Sequence, residues 1–151
     1  MHLATNKISK IENLPQYEKL RVLTFQENRI SEIENLEHIK NLEEIYLGGN
    51  AFTEIKGLSS LAENLQILDF SVNRGLKSIG TGFHELVNLT DVWLNSCSID
   101  SWKDVDAALA PLKQLDVIYL EHNPVQEDVM YRKKLQLISP SLTQIDAALC
   151  K

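Results

Sequence analysis

The residues of this sequence that could perform chemistry are few and scattered. A metal site needs histidine and cysteine side chains a short, regular spacing apart. The four histidines are His2, His38, His84 and His122, and the two cysteines are Cys97 and Cys150. None of them has a second ligand at such a spacing, so we expect no metal ion. Two isolated cysteines also indicate a reduced compartment, since they cannot build a disulfide framework.

Two other patterns resemble catalytic or nucleotide-binding sites. Asp104 and Asp106 could act as an acid–base pair, but they stand at the start of a predicted helix, where acids balance the helix dipole. The string Gly80-Thr81-Gly82 lacks the further glycine and the strand-to-helix setting of a dinucleotide loop. We therefore expect no catalytic residue, no cofactor and no small-molecule substrate, and the sequence predicts that the chain is not an enzyme.

The charge balance narrows the class of partner. Asp and Glu number 21 against 15 Lys and Arg, for a formal net charge of −6. Binding to a nucleic-acid backbone depends on clustered basic residues, so a basic protein surface is the better match. There is no apolar run long enough to span a membrane and no secretory or transit segment. We expect a cytoplasmic or nuclear protein that binds neither nucleic acid nor membrane directly.

A repeat positions the remaining polar and aromatic side chains. The pattern L-x-x-L-x-L-x-x-N recurs with its first leucine at residues 20, 42, 65, 89 and 115, and a truncated copy starts near residue 1. This period is typical of leucine-rich repeats, in which each copy supplies a strand, a turn and a return leg, and the copies must stack to bury their apolar faces. We predict an α/β fold: one right-handed leucine-rich-repeat solenoid over residues 1–151, with about six strands in a single curved parallel sheet.

The return legs and the two ends of the array differ in character. Ser101 followed by acids and helically spaced apolar residues predicts a true helix, whereas the earlier, shorter legs predict 3₁₀ or extended turns. Residues 124–148 predict a C-terminal cap built on an amphipathic stretch from Asp128 to Ile138. The chain begins inside a repeat, so we expect the edge around residues 3–11 to fray or to self-associate with a second copy.

One polar position of the repeat has a structural explanation. It holds Asn6, Asn28, Asn50, Asn73 and Asn123. An inward-facing amide at this position can donate to a backbone carbonyl and accept from a backbone N–H in the turn. We predict a ladder of buried asparagines, in which Cys97 replaces the amide as a small buried donor and is not a nucleophile.

Strand alternation predicts the side chains of the concave face. The fifth repeat position gives His2, Thr24, Tyr46, Asp69, Trp93 and Tyr119. The third adds Glu44 and Asp91, and the seventh adds Glu121. Neighbouring strands lie roughly 4.8 Å apart, so Trp93 and Tyr119 should stand side by side with acids around them. Such side chains can simply cover one another on an exposed sheet, and for Glu44 or Glu121 alone we favour that explanation; for the aromatic pair we favour protein binding.

The second half of the chain resembles a known family. The segments "LTDVWLNSCSIDSWKDVD" and "LDVIYLEHNPVQEDVMYRKKLQLISPSLTQIDA" resemble the C-terminal half of the leucine-rich-repeat regulatory subunit of protein phosphatase 1. The resemblance implies a regulatory subunit that binds the phosphatase catalytic subunit through its concave face. It points to Asp69, Asp91, Trp93 and Tyr119 as contacts, with Tyr46 as a weaker candidate.

Two departures and one alternative accompany this resemblance. Members of the family are markedly longer than this chain, and Asp91 stands where the family commonly has Glu. Similar repeats with the same type of cap occur in the spliceosomal A′ protein and in an axonemal dynein light chain, so the alternative function is assembly of another complex. The strings "DVW" and "IYLEHNP" favour the phosphatase subunit.

Overall fold

Five repeat strands form the body of a single sheet in the computed structural model, which describes residues 1–150. They are β1 (Val22–Thr24), β2 (Glu44–Tyr46), β3 (Ile67–Asp69), β4 (Asp91–Trp93) and β5 (Val117–Tyr119). Each strand begins two residues after the first leucine of its repeat, and its central side chain is fully buried. Lys151, the last residue of the predicted domain, lies outside the described residues.

The repeat strands pair in parallel and in register. Equivalent positions of successive repeats therefore lie side by side, as in the row Tyr46, Asp69, Trp93 and Tyr119. The truncated first copy contributes an isolated parallel bridge between His2 and Thr24 instead of a strand. Residues 1–150 thus hold five repeat strands and one bridge where about six strands were predicted.

The edge formed by the first copy is partly sealed. The backbone N–H of Leu3 donates to Thr24, at 2.8 Å, and that of Thr5 donates to Gln26, at 2.8 Å. Ile11 is fully buried, whereas Leu3 and Ile8 remain half-buried and pack against the core. Ile11 therefore does not belong to an exposed apolar edge, and self-association through this end stays a prediction.

The C-terminal cap extends the sheet beyond the repeats. Strand β6 (Gln144–Ile145) continues the parallel order, but β7 (Ala148–Leu149) pairs with β6 in the antiparallel direction. Asp146, in the two-residue connection, has a φ of 54°, which suits a tight reversal of the chain. The repeat strands are parallel, as predicted, and the cap adds one antiparallel pair because it does not follow the repeat.

Helices lie on the return side of the sheet, as the sequence predicts. Helix α1 (Trp102–Leu109) is capped at its N-terminus by Ser101, whose hydroxyl accepts a hydrogen bond from the Asp104 backbone N–H. The leg after β2 contains a short 3₁₀ turn, Ser59–Leu61, and the cap contains a second, Pro124–Glu127, before helix α2 (Tyr131–Ile138). Four fully buried phenylalanines fill the space between the sheet and the return legs: Phe25, Phe52, Phe70 and Phe83.

The predicted asparagine ladder is present at four of its five asparagines. The exception is Asn6, which is exposed and whose amide donates only to the carbonyls of Leu3 and Ala4. Asn73 is fully buried; its amide donates to the carbonyls of Leu47 and Phe70, and its oxygen accepts from the Phe52 N–H. Asn28, Asn50 and Asn123 repeat this arrangement, each tying its own turn to the preceding repeat. Cys97 takes the same place, and its thiol donates to the Phe70 carbonyl at 3.4 Å. The ladder thus satisfies backbone groups that stacking would otherwise leave unpaired.

Candidate protein-binding surface

The open face of the sheet, the face turned away from the core, carries six of the seven predicted contact residues as half-exposed side chains. In β2, β4 and β5 the central residue is buried and its two neighbours are partly exposed. These neighbours include Glu44, Tyr46, Asp91, Trp93 and Tyr119, and Glu121 follows β5. The parallel register brings all of them to one continuous surface, as strand alternation predicts.

Three aromatic rings form a row across this surface. The centroids of Trp93 and Tyr119 are 5.7 Å apart, and those of Tyr46 and Trp93 are 5.9 Å apart, with an interplanar angle of 68° in both pairs. These edge-to-face contacts are the geometry that aromatic quadrupoles favour. The adjacency of Trp93 and Tyr119 was predicted, and the structure adds Tyr46 as a full member of the row.

The indole nitrogen of Trp93 has no hydrogen-bond partner among the described residues. Its Nε1 is buried, and residues 1–150 offer it no acceptor. A buried donor left unpaired costs ~1–3 kcal/mol, and proteins rarely keep one without a reason. At the centre of the aromatic row, Trp93 therefore contributes less to the stability of the fold than a tryptophan whose N–H is hydrogen-bonded.

Asp69 lies beneath the row and is fully buried, although it was predicted as a contact residue. Its carboxylate accepts from the Gln26 amide at 2.8 Å and from the Ser71 backbone N–H at 2.7 Å. Tyr46 and Trp93 on the flanking strands meet across it. In this structure Asp69 therefore supports the surface from below, whereas its neighbours offer the side chains that a partner could reach.

The other acids are held at the margins of the row. Tyr46 donates its hydroxyl proton to Glu44 at 2.8 Å, and Thr90 donates to Asp91 at 2.7 Å. Burial first, then the Glu44 carboxylate and the charges of Asp69 and Asp91, raise the pKa of Tyr46 to about 12. The tyrosine therefore stays neutral near neutral pH, and its hydroxyl holds the Glu44 side chain in place on the open face.

Glu121 borders a cleft of about 400 Å³ at the C-terminal end of the strands. The cleft is lined by Ser71, Trp93, Asn95, Tyr119 and Glu121. Ser71 and Asn95 share the seventh repeat position with Glu121. That shared position is the signal that could have identified both residues from the sequence. Gln26, which also occupies it, could have been found in the same way.

The described residues offer little support for other chemistry. Among residues 1–150, no cluster of three or more His, Cys, Asp or Glu side chains is arranged to hold a metal ion. None of the helices in that range combines the length and apolar character needed to cross a membrane. Burial raises the pKa of the Cys97 thiol to about 11, so this cysteine is mostly protonated near neutral pH.

Comparison with known proteins identifies the fold. A leucine-rich-repeat model covering two copies matches residues 18–61. The whole solenoid is similar to a chain in the crystal structure of the Drosophila melanogaster SNF/U2A′ complex, with a TM-score of 0.79 and 25% identity over 99% of this chain and 83% of that one. The fold is a leucine-rich-repeat solenoid. Its single sheet and short helical return legs agree with the predicted class.

Curated relatives confirm the resemblance to phosphatase subunits over part of the leucine-rich-repeat chain. It is 38% identical over 66 residues to protein phosphatase 1 regulatory subunit SDS22 of Schizosaccharomyces pombe, a match covering 42% of this chain and 20% of that protein. It is 47% identical over 49 residues to human protein phosphatase 1 regulatory subunit 7, covering 32% and 13%. The chain therefore spans about a fifth or less of these relatives' length. Both relatives are named as regulatory subunits.

Proposed function

We propose that this chain is a non-catalytic regulatory module that binds the catalytic subunit of protein phosphatase 1 through the open face of its sheet. The observation that carries the proposal is the aromatic row with the unpaired Trp93 N–H at its centre. Aromatic side chains dominate the energetics of protein interfaces, and a rigid row on a sheet loses little conformational entropy on binding. The names of the curated relatives supply the identity of the partner.

The charge of the open face supports a basic partner surface. Glu44, Asp91 and Glu121 form no ion pair with any residue in the described range. Carboxylates around an aromatic row that are not engaged in ion pairs attract cationic side chains and steer their approach. Arg and Lys also bind favourably over aromatic rings. We propose that the module acts in the cytoplasm or the nucleus, without a cofactor and without direct contact to nucleic acid or membrane.

The direct test is the affinity of the purified chain for the purified phosphatase catalytic subunit, measured by isothermal titration calorimetry. Trp93→Ala should weaken binding by ~2 kcal/mol or more, as truncation of an interface anchor does. The chain offers a matched control in Trp102, the first residue of helix α1 on the return side. Its ring centroid lies 6.0 Å from that of Tyr131. Trp102→Ala removes an equal ring from the opposite side and should bind the phosphatase as the parent does.

Two outcomes would contradict the proposal. The first is a parent chain that shows no measurable binding to the catalytic subunit. The second is an equal loss of affinity in Trp93→Ala and Trp102→Ala, since that result would assign the effect to general destabilisation. Circular dichroism of both variants establishes that each retains the fold of the parent.

A second candidate function is assembly of a protein complex that contains no phosphatase. The full-length similarity to a chain of the SNF/U2A′ complex favours it, because that match covers nearly the whole solenoid and the phosphatase-subunit matches do not. Tagged chain can be used to capture partners from cell lysate, with Trp93→Ala as the comparison. Loss of a spliceosomal protein, and not of the phosphatase, from the variant sample would favour assembly.

A further inference from the structure

The C-terminal cap places one side chain directly on the open face. The amide Nε2 of Gln144 donates to the hydroxyl oxygen of Tyr119 at 2.8 Å, and it also donates to the Asp146 carbonyl at 2.8 Å. Tyr119 belongs to the aromatic row, whereas Gln144 is the first residue of β6. A cap residue outside the repeats therefore touches the surface that the repeats build.

The position of Gln144 is fixed by the backbone around it. Gln144 pairs with Val117 in the parallel ladder, so the Gln144 side chain lies diagonal to Tyr119 on the same face of the sheet. The following turn is anchored by Asp146, whose carboxylate accepts from the N–H groups of Leu120 and Glu121 and from the Tyr131 hydroxyl. Because this network is buried, the cap cannot shift relative to β5 without leaving charged and polar groups unpaired.

The direction of this hydrogen bond decides what Tyr119 can offer a partner. A phenol hydroxyl donates one hydrogen and accepts at its oxygen, whereas the amide nitrogen of Gln144 can only donate. Gln144 therefore occupies the accepting side of the Tyr119 hydroxyl, and no residue in the described range takes its proton. Tyr46 is the contrast, because its proton is already donated to Glu44.

We propose that Gln144 is a positioning residue of the binding surface, which holds Tyr119 as a hydrogen-bond donor to an oxygen acceptor on the partner. The inference rests on the proposed function and adds the chemistry of one contact to it. An acceptor such as a backbone carbonyl or a carboxylate on the partner complements this part of the surface.

A double-mutant cycle on the intact chain tests the proposal, with the phosphatase catalytic subunit as the probe. Tyr119→Phe removes the donor and keeps the ring. Gln144→Glu keeps the length of the side chain but replaces the donor by a carboxylate, which accepts the Tyr119 proton and withdraws it from the partner. Each change alone should weaken binding about fivefold, the factor that one hydrogen bond of ~1 kcal/mol makes.

The diagnostic result is the behaviour of the double variant. If Gln144 acts through the Tyr119 proton, Gln144→Glu has no further effect once Tyr119 is Phe, and the double variant binds as Tyr119→Phe alone does. Fully additive losses would show that the added charge acts on the partner by itself, and would overturn the inference while leaving the proposed function intact. An unchanged affinity in Gln144→Glu would overturn it in the same way.

A second measurement addresses the contact without any partner. The side-chain amide signals of Gln144 in a ¹H–¹⁵N NMR spectrum should shift in Tyr119→Phe, because the acceptor of one amide hydrogen is lost. Unshifted signals would overturn the positioning role. Failure of the parent chain to bind the phosphatase would overturn the proposed function and this inference together. The outcomes named above would overturn the inference alone, so the two kinds of failure are distinguishable.

Discussion

Tyr46 and Trp93 stand in edge-to-face contact at 5.9 Å although their strands are not neighbours in the sheet. Strand β3 runs between them and presents Asp69 at the aligned position. The Asp69 side chain is short, and hydrogen bonds from the Gln26 amide and the Ser71 N–H keep its carboxylate close to the sheet. The two rings therefore meet above it. The polar residue in the row thus creates the continuity of the aromatic surface.

The first prediction contrasts two adjacent residues of one strand segment. Leu94 is fully buried, and Leu94→Ala should lower the free energy of unfolding by ~2–5 kcal/mol through cavity formation. Trp93→Ala should cost less than ~2 kcal/mol, because the loss of two edge contacts is offset by removal of a buried, unpaired N–H. Urea denaturation of both variants measures the difference. Equal losses would show that Trp93 is a core residue.

The second prediction concerns the asparagine ladder. Asn73→Ala leaves the Phe52 N–H without its amide acceptor inside the core and removes one of the two amide donors to the Leu47 carbonyl, and should lower the unfolding free energy by ~2 kcal/mol or more. Asn6 is exposed and donates only to nearby carbonyls, so Asn6→Ala is the matched control and should stay within ~0.5 kcal/mol of the parent. Chemical denaturation measures both. Similar values for the two variants would contradict a ladder role for the buried amide.

The third prediction separates two acids that the sequence treats alike. Asp91 is partly exposed, so Asp91→Asn should slow association with the phosphatase and reduce its dependence on salt, while stability changes little. Asp69→Asn should instead lower stability, because the buried carboxylate accepts from both Gln26 and Ser71. Stopped-flow association at two ionic strengths, together with thermal unfolding, measures both effects. A salt effect confined to Asp69→Asn would reverse this assignment of roles.

The position of Asp69 also marks the limit of what the sequence can predict. Alternation correctly predicts that the residue points away from the core, because the period of the strand determines the face. Its burial depends on Gln26, which is 43 residues distant in the chain, and on two rings from flanking strands. Such coverage is a tertiary property that no local pattern encodes.

The repeats and the cap differ in predictability for a related reason. Each strand boundary follows from the repeat, because stacked copies must align their leucines to share one core. The antiparallel β6–β7 pair and the contact of Gln144 with Tyr119 lie outside the repeat. They depend on the chain reversal at Asp146, which produces an antiparallel pair, whereas the repeat strands pair only in parallel. The sequence therefore predicts that a cap exists, but it does not predict that a cap residue, Gln144, contacts the open face.

The fourth prediction tests Cys97. Burial raises the pKa of its thiol to about 11, so at pH 8 roughly one molecule in a thousand carries the reactive thiolate. In a Cys150→Ser background, Cys97 should resist iodoacetamide in the native state and react fully in urea. Mass spectrometry of the alkylated protein measures the extent. Rapid native labelling would show that this turn opens, and would contradict the role of Cys97 as a buried ladder position.

The last prediction follows from Tyr46, whose pKa is raised from 10.0 to about 12 by burial and by Glu44. Because folding favours the protonated phenol, its stabilising contribution is complete below pH 10 and is lost as pH rises towards 12. Tyr46→Phe should therefore show a shallower loss of stability across that window than the parent. Tyr17→Phe, which replaces an exposed tyrosine, is the control and should follow the parent curve. Urea unfolding at pH 9, 10, 11 and 12 measures the three profiles. Parallel curves for Tyr46→Phe and the parent would show that the Tyr46–Glu44 hydrogen bond does not favour the neutral phenol in the folded state.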